Sequence, residues 1–156
     1  MKTSNALRFL PLAATLLCAS AVAQTRFCMG GDLDHMSQTQ RTACSAKLQA
    51  VKNAAAEFHA PDGWHFVVVC GENGWKEYAA YVAEEDPAIL AASADTHLEQ
   101  HETFLREDRL NLADQQSLRR VVAREVAGIL LQSQDETAIN HQVNLWISQD
   151  QGRSGI

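Results

Sequence analysis

The residues with the clearest chemical potential lie in Val121-Val-Ala-Arg-Glu-Val-Ala-Gly-Ile-Leu-Leu131. At about 100° per residue, Leu118, Val122, Val126, Ile129 and Leu130 form one apolar stripe of a helix. Glu125 projects between Val121 and Leu118, so its carboxylate points toward the core. A buried carboxylate is costly unless it finds a partner or takes up a proton. Local rules broken in this way cluster at functional or formerly functional sites. The plain alternative is that Glu125 pairs with Arg119 or Arg106 at the core margin, while Gly128 lets another segment pack close. Glu136 follows after a short break.

Other chemistry-bearing residues are more scattered. His97 and His101 lie four apart, which brings them together only on a helix. On a strand they share a face but stand roughly 13 Å apart. Two solvated histidines beside a sheet edge is the plainer reading, and a metal pair the sharper one. Asp32 and Asp34 lie in a glycine-rich turn that lacks the further oxygen ligands of a calcium loop. Cys70-Gly-Glu-Asn-Gly74 lacks the lysine and spacing of a phosphate loop, and no GxSxG motif occurs.

Residues 1–23 read as a secretory signal peptide: Lys2 and Arg8, an apolar run from Phe9 to Cys18, and a small-x-small site at Ala21-Val-Ala23. The expected product is periplasmic or secreted, about 133 residues long. Residues 24–150 form one domain, followed by a tail at 151–156. Loss of Lys2 and Arg8 takes the net charge from −6 to about −8. An acidic chain without a basic cluster argues against nucleic acid and against an anionic membrane surface. No second apolar run approaches membrane-spanning length. The expected partner is therefore an unknown protein or peptide, with no membrane after signal cleavage.

Export favours a disulfide among Cys28, Cys44 and Cys70. The short loop between Cys28 and Cys44 makes that pair the first choice, worth roughly 3 kcal/mol, with Cys70 a buried thiol. The alternative joins Cys70 to Cys28 or Cys44. No CxxC spacing supports redox catalysis or a thiolate zinc site.

The elements that must position these groups follow in order. Gln24 to His35 reads as an irregular lead-in. Ser37-x-x-Gln40 is a capping box opening a helix to about Phe58, with Leu48, Val51, Ala55 and Phe58 on one side. Trp64-His-Phe-Val-Val-Val-Cys70 is a strand covered on both faces. Trp75 to Val82 is a short helix, and Pro87 opens another reaching Ala92. Thr96, Leu98, Thr103 and Phe104 belong to one or two extended segments. Asp114 caps the central helix, from about Gln115 to Gln132. A last helix covers roughly Glu136 to Ser148, with Ile139, Val143, and Trp146 or Ile147 inward. The fold class is α+β, with a small mixed or antiparallel sheet packed against a few helices.

This order resembles a minimal zincin metallopeptidase: backing helix, central strand, edge strand, HExxH helix, then a helix with a third ligand. Arg124-Glu-Val-Ala-Gly128 occupies the motif position, between apolar flanks. The resemblance implies Glu125 as relic general base, Arg124 and Gly128 at the two histidine positions, and Glu136 as relic third ligand. It also implies that His101-Glu-Thr-Phe-Leu-Arg106 is the edge strand that holds substrate. The departures remove the chemistry. Arg124 stays protonated and cannot ligate a metal, Gly128 has no side chain, and one carboxylate cannot hold catalytic zinc. Arg124 can instead replace zinc electrostatically by pairing with Glu136 or Glu125.

Three readings follow, in order of preference. The first is an exported pseudo-metallopeptidase domain without a cofactor, a non-catalytic binding or structural module. The second is an active hydrolase whose zinc site has moved to His97, His101, and Glu125 or Glu136. The third is an unrelated small exported α+β protein, in which Glu125 and Glu136 lie far apart.

Overall fold

A computed structural model describes residues 24–71, 73–82 and 87–153. The expected signal sequence at 1–23 and the last tail residues, 154–156, lie outside the described residues. The elements run β1 (Arg26–Gly31), α1 (Gln38–Glu57), β2 (His65–Cys70), α2 (Gly74–Val82), β3 (Ala94–His97), β4 (Glu102–Arg106), α3 (Gln115–Leu131) and α4 (Glu136–Arg153). Short 3-10 turns cover Leu33–His35, Pro87–Leu90 and Glu107–Arg109.

The four strands form one sheet in the order β1-β2-β4-β3. Strand β2 runs parallel to β1 and β4, and β3 returns antiparallel to β4. The expected α+β class with a mixed sheet is what the chain forms. The valine run makes β2 an interior strand: Phe66, Val68 and Cys70 face one core, Val67 and Val69 the other. The larger core lies under α1, α3 and α4, and the smaller under α2 and the Pro87–Leu90 turn.

Helix α1 opens on the complete Ser37–Gln40 capping box, and the Asp114 side chain accepts from the Ser117 N–H to start α3. These caps satisfy amide donors that a helix start leaves unpaired. The α3 stripe is as expected at Leu118, Val122, Val126 and Ile129, but Leu130 is exposed. On α4, Ile139, Val143 and Ile147 are buried, and Trp146 stacks on Phe58. That helix continues to Arg153, beyond the expected end at Ser148.

Three expectations need correction. Gln24 to His35 is not all irregular, because β1 pairs in register from Arg26 to Gly31 with β2. An edge strand draws its hydrogen bonds from a neighbour, so a short run without a clear apolar alternation still forms one. The segment Glu102–Arg106 is not the edge: β3 lies outside it, and β4 is interior.

The third correction concerns the cysteines. The disulfide joins Cys44 to Cys70, with Cα atoms 6.1 Å apart, and Cys28 is free. The first-choice pair Cys28–Cys44 is therefore wrong, and Cys70 is no thiol. Side-chain alternation along a strand is the reason. Phe27 and Met29 turn toward α1, so Cys28 turns to the opposite face, against the smaller core. Cys70 shares the α1 face, where Cys44 waits, fully buried. Loop length favoured a pair that strand parity forbids.

Candidate functional site

Helix α3 packs along the edge strand β3 and against α4, and a cleft opens where the three meet. One lobe, of about 410 Å³, is lined by Ala94, Arg120, Val121, Arg124, Glu125 and Val143. The adjoining lobe, of about 250 Å³, is lined by Thr96, Leu98, Arg124, Glu125, Gly128 and Glu136. Four positions picked out in the sequence, Arg124, Glu125, Gly128 and Glu136, thus border one cavity.

Glu125 is held by neither arginine considered for it. Arg119 pairs with Glu57 and lies over the Phe58 ring. Arg106 binds Asp108 and the Leu90 carbonyl. Instead, Glu125 Oε2 accepts from the Thr96 hydroxyl at 2.7 Å. Thr96 Oγ1 lies 2.9 Å from Thr103 Oγ1, which accepts from the Trp64 indole N–H at 2.9 Å. Trp64 can only donate and an ionised carboxylate can only accept. With Glu125 ionised, the proton order is therefore set along the whole chain, from Trp64 through Thr103 and Thr96 to Glu125.

Burial pushes the Glu125 carboxyl above the ordinary carboxylate range, and the negative charges of Asp95 and Glu136 push the same way. The Thr96 hydrogen bond and the Arg124 charge oppose them without reversing the shift. A carboxyl of raised proton affinity in a cleft has the character of a general base or a proton-sharing ligand group.

Arg124 Nη2 forms a close ion pair with Glu136 Oε1 at the cleft mouth. Both side chains are exposed, so the pair is worth only about 0–1 kcal/mol. Gly128 lies under the turn into α4. A Cβ there would stand 3.3 Å from the Ser133 carbonyl oxygen and 3.5 Å from Ile139 Cδ1. Its lack of a side chain admits the α3–α4 connection, as the plain reading of Gly128 expects.

The alternative pair His97 and His101 is not brought together. His97 Nε2 lies 2.8 Å from Asp95 Oδ2 and 3.0 Å from the Tyr78 hydroxyl, with its ring edge-on to Phe104. His101 sits in the β3–β4 turn at φ 57° and stacks on Trp64. The first belongs to the α2 face of the sheet, the second to the α1 face. Among the described residues, no three His, Cys, Asp or Glu side chains are grouped to hold a metal ion.

Thr96 and Thr103 are the site residues that sequence reasoning missed. Thr103 is completely buried and alternates with buried Leu105. A polar residue on the inward parity of a short apolar strand was the available signal. Comparison of the chain with protein-family models, with curated proteins and with solved structures gives no match.

Proposed function

We propose that this chain is an exported zincin-like pseudo-metallopeptidase domain, acting as a non-catalytic module that binds a protein or peptide in the α3–β3 cleft. The observation that carries the reading is the convergence of Arg124, Glu125, Gly128 and Glu136 on one cavity. The unrelated-fold reading expected Glu125 and Glu136 to lie far apart, whereas both line this cavity. The guanidinium of Arg124 stands beside the carboxylate of Glu136, a cation–carboxylate pair in the place where a zinc–carboxylate bond would be. The raised proton affinity of Glu125 fits a general base that has lost its metal-bound water.

The surroundings agree with a periplasmic or secreted address. The chain carries a disulfide, a bond that persists in oxidising compartments. Among the described residues, no helix is long and apolar enough to cross a membrane.

The test is metal content after incubation with zinc and gel filtration, for the natural chain and for an Arg124→His, Gly128→His double variant, with folding checked by circular dichroism. The expected result is no stoichiometric zinc in the natural chain and one zinc in the variant. Stoichiometric zinc in the natural chain overturns the reading, and so does a folded variant that takes up none.

A further inference from the structure

Cys28, the thiol left out of the disulfide, is not isolated. On the α2 face of the sheet, three adjacent strands carry Cys28 (β1), His65 (β2) and Glu102 (β4), with His65 in register with Glu102 and diagonal to Cys28, whose own register partner is Val67. Cys28 Sγ lies 3.2 Å from His65 Nε2. The other ring nitrogen, His65 Nδ1, lies 3.6 Å from Glu102 Oε1, across a pair of register partners. A proton on Nδ1 facing the carboxylate leaves Nε2 as acceptor for the thiol. His65 and Glu102 are about one-third exposed and Cys28 is only partly buried, so solvent reaches all three.

We propose that Cys28 is a nucleophilic thiol for disulfide exchange, with His65 as its general base and Glu102 as the residue that positions His65. The thiol transfers its proton to His65 Nε2 while Sγ attacks one sulfur of a partner disulfide, R–S–S–R. The partner's S–S bond breaks and its electron pair leaves on the second sulfur. That sulfur takes the proton from the imidazolium. The products are the mixed disulfide Cys28–S–S–R and the free thiol RSH, and the partner disulfide is the only oxidant required.

Two features select this chemistry. Acyl transfer needs donors for an oxyanion, which these three side chains do not supply, whereas exchange needs only a nucleophile and a place for the proton. The Cys44–Cys70 bridge lies on the opposite face of the sheet, so exchange within the molecule is blocked and the partner must come from outside. The nearby charges are mixed: Glu102 and, further along the same face, Asp95 with His97 and Tyr78 stand against Arg26, the register partner of His65, so charge alone does not select the sign of the partner disulfide. Burial and Glu102 both raise the Cys28 thiol above its ordinary range, so it rests protonated and depends on a base.

The experiment is the rate of modification of the full mature chain by 4,4′-dithiodipyridine, a neutral disulfide, between about pH 5 and 9. Cys28→Ser is expected to abolish the reaction, and a remaining stoichiometric reaction overturns the assignment. His65→Ala is expected to slow it at least about tenfold at neutral pH, the modest end for a positioned general base, and to move the pH profile toward that of a simple thiol. Glu102→Gln separates positioning from mere charge. If Glu102 only repels the thiolate, its loss speeds the reaction; if it orients His65, its loss slows the reaction about threefold or more. Equal rates for the natural chain and His65→Ala, or a faster Glu102→Gln variant, overturn the proposal.

Discussion

The Thr96 hydroxyl donates to Glu125 Oε2 at 2.7 Å and so ties the edge strand to the middle of α3. The bond explains how a carboxylate is tolerated beside the core. It also leaves the group short of full compensation, because the carboxyl remains shifted upward.

A pH dependence of stability follows from that shift. The folded chain holds the Glu125 proton more tightly than the unfolded chain, so between the two ionisations the native state binds more protons. Stability from this group is then fully present below the ordinary Glu range, near pH 4.3. It declines as pH rises, until the folded carboxyl has ionised. Glu125→Gln keeps an acceptor for Thr96 and removes the ionisation. The variant is expected to gain Tm relative to the natural chain at pH 8 and to show little difference at pH 4. Thermal scans at the two pH values check this, and a gain that does not grow with pH contradicts it.

Thr103 is the joint of the relay, fully buried between Trp64 and Thr96. Thr103→Val keeps the shape but leaves the indole N–H without its acceptor. An unsatisfied buried donor costs about 1–3 kcal/mol. Chemical denaturation should show a loss of that size. Thr103→Ser, which keeps the hydroxyl, should recover most of the loss that exceeds its missing methyl group.

How much of this was legible depends on the range of the interactions. The capping box at Ser37, the Asp114 cap and the valine-rich strand are local signals, and each appears where spacing put it. The gathering of Arg124, Glu125 and Glu136 was also readable, because one helix and the next turn carry all three. The cysteine pairing was not, since it depends on which face of β1 Cys28 occupies, and β1 lacks an alternation strong enough to announce itself. The Trp64–Thr103–Thr96–Glu125 chain and the Cys28–His65–Glu102 row each cross several strands. Neither has a spacing in sequence, because strand order β1-β2-β4-β3 decides which side chains become neighbours.

The exposed Arg124–Glu136 pair should matter little for stability. Arg124→Ala is expected to lower it by less than about 1 kcal/mol, since solvent screens both partners. Should the cleft bind a peptide, the same substitution will change affinity far more than Tm. Denaturation midpoints at about 0.05 and 0.5 M salt test the screening: a loss above about 2 kcal/mol would show that the pair is structural.

The disulfide gives the last prediction. Cys44 and Cys70 are 26 residues apart in sequence, and closing a loop of that length restricts the unfolded chain by about 3.5 kcal/mol in the entropy model. Replacing both by serine should cost about 2–4 kcal/mol in denaturant stability, since the two sulfurs also fill core space. Cys28 cannot substitute in the bridge, because its side chain lies on the other face of β1. Alkylation of a folded chain of residues 24–156 without reductant should therefore label Cys28 alone. In a Cys70→Ser variant, Cys28 and Cys44 should both label after unfolding. Protection of both in that variant would mean that they can pair, and that the parity of β1 does not hold them apart.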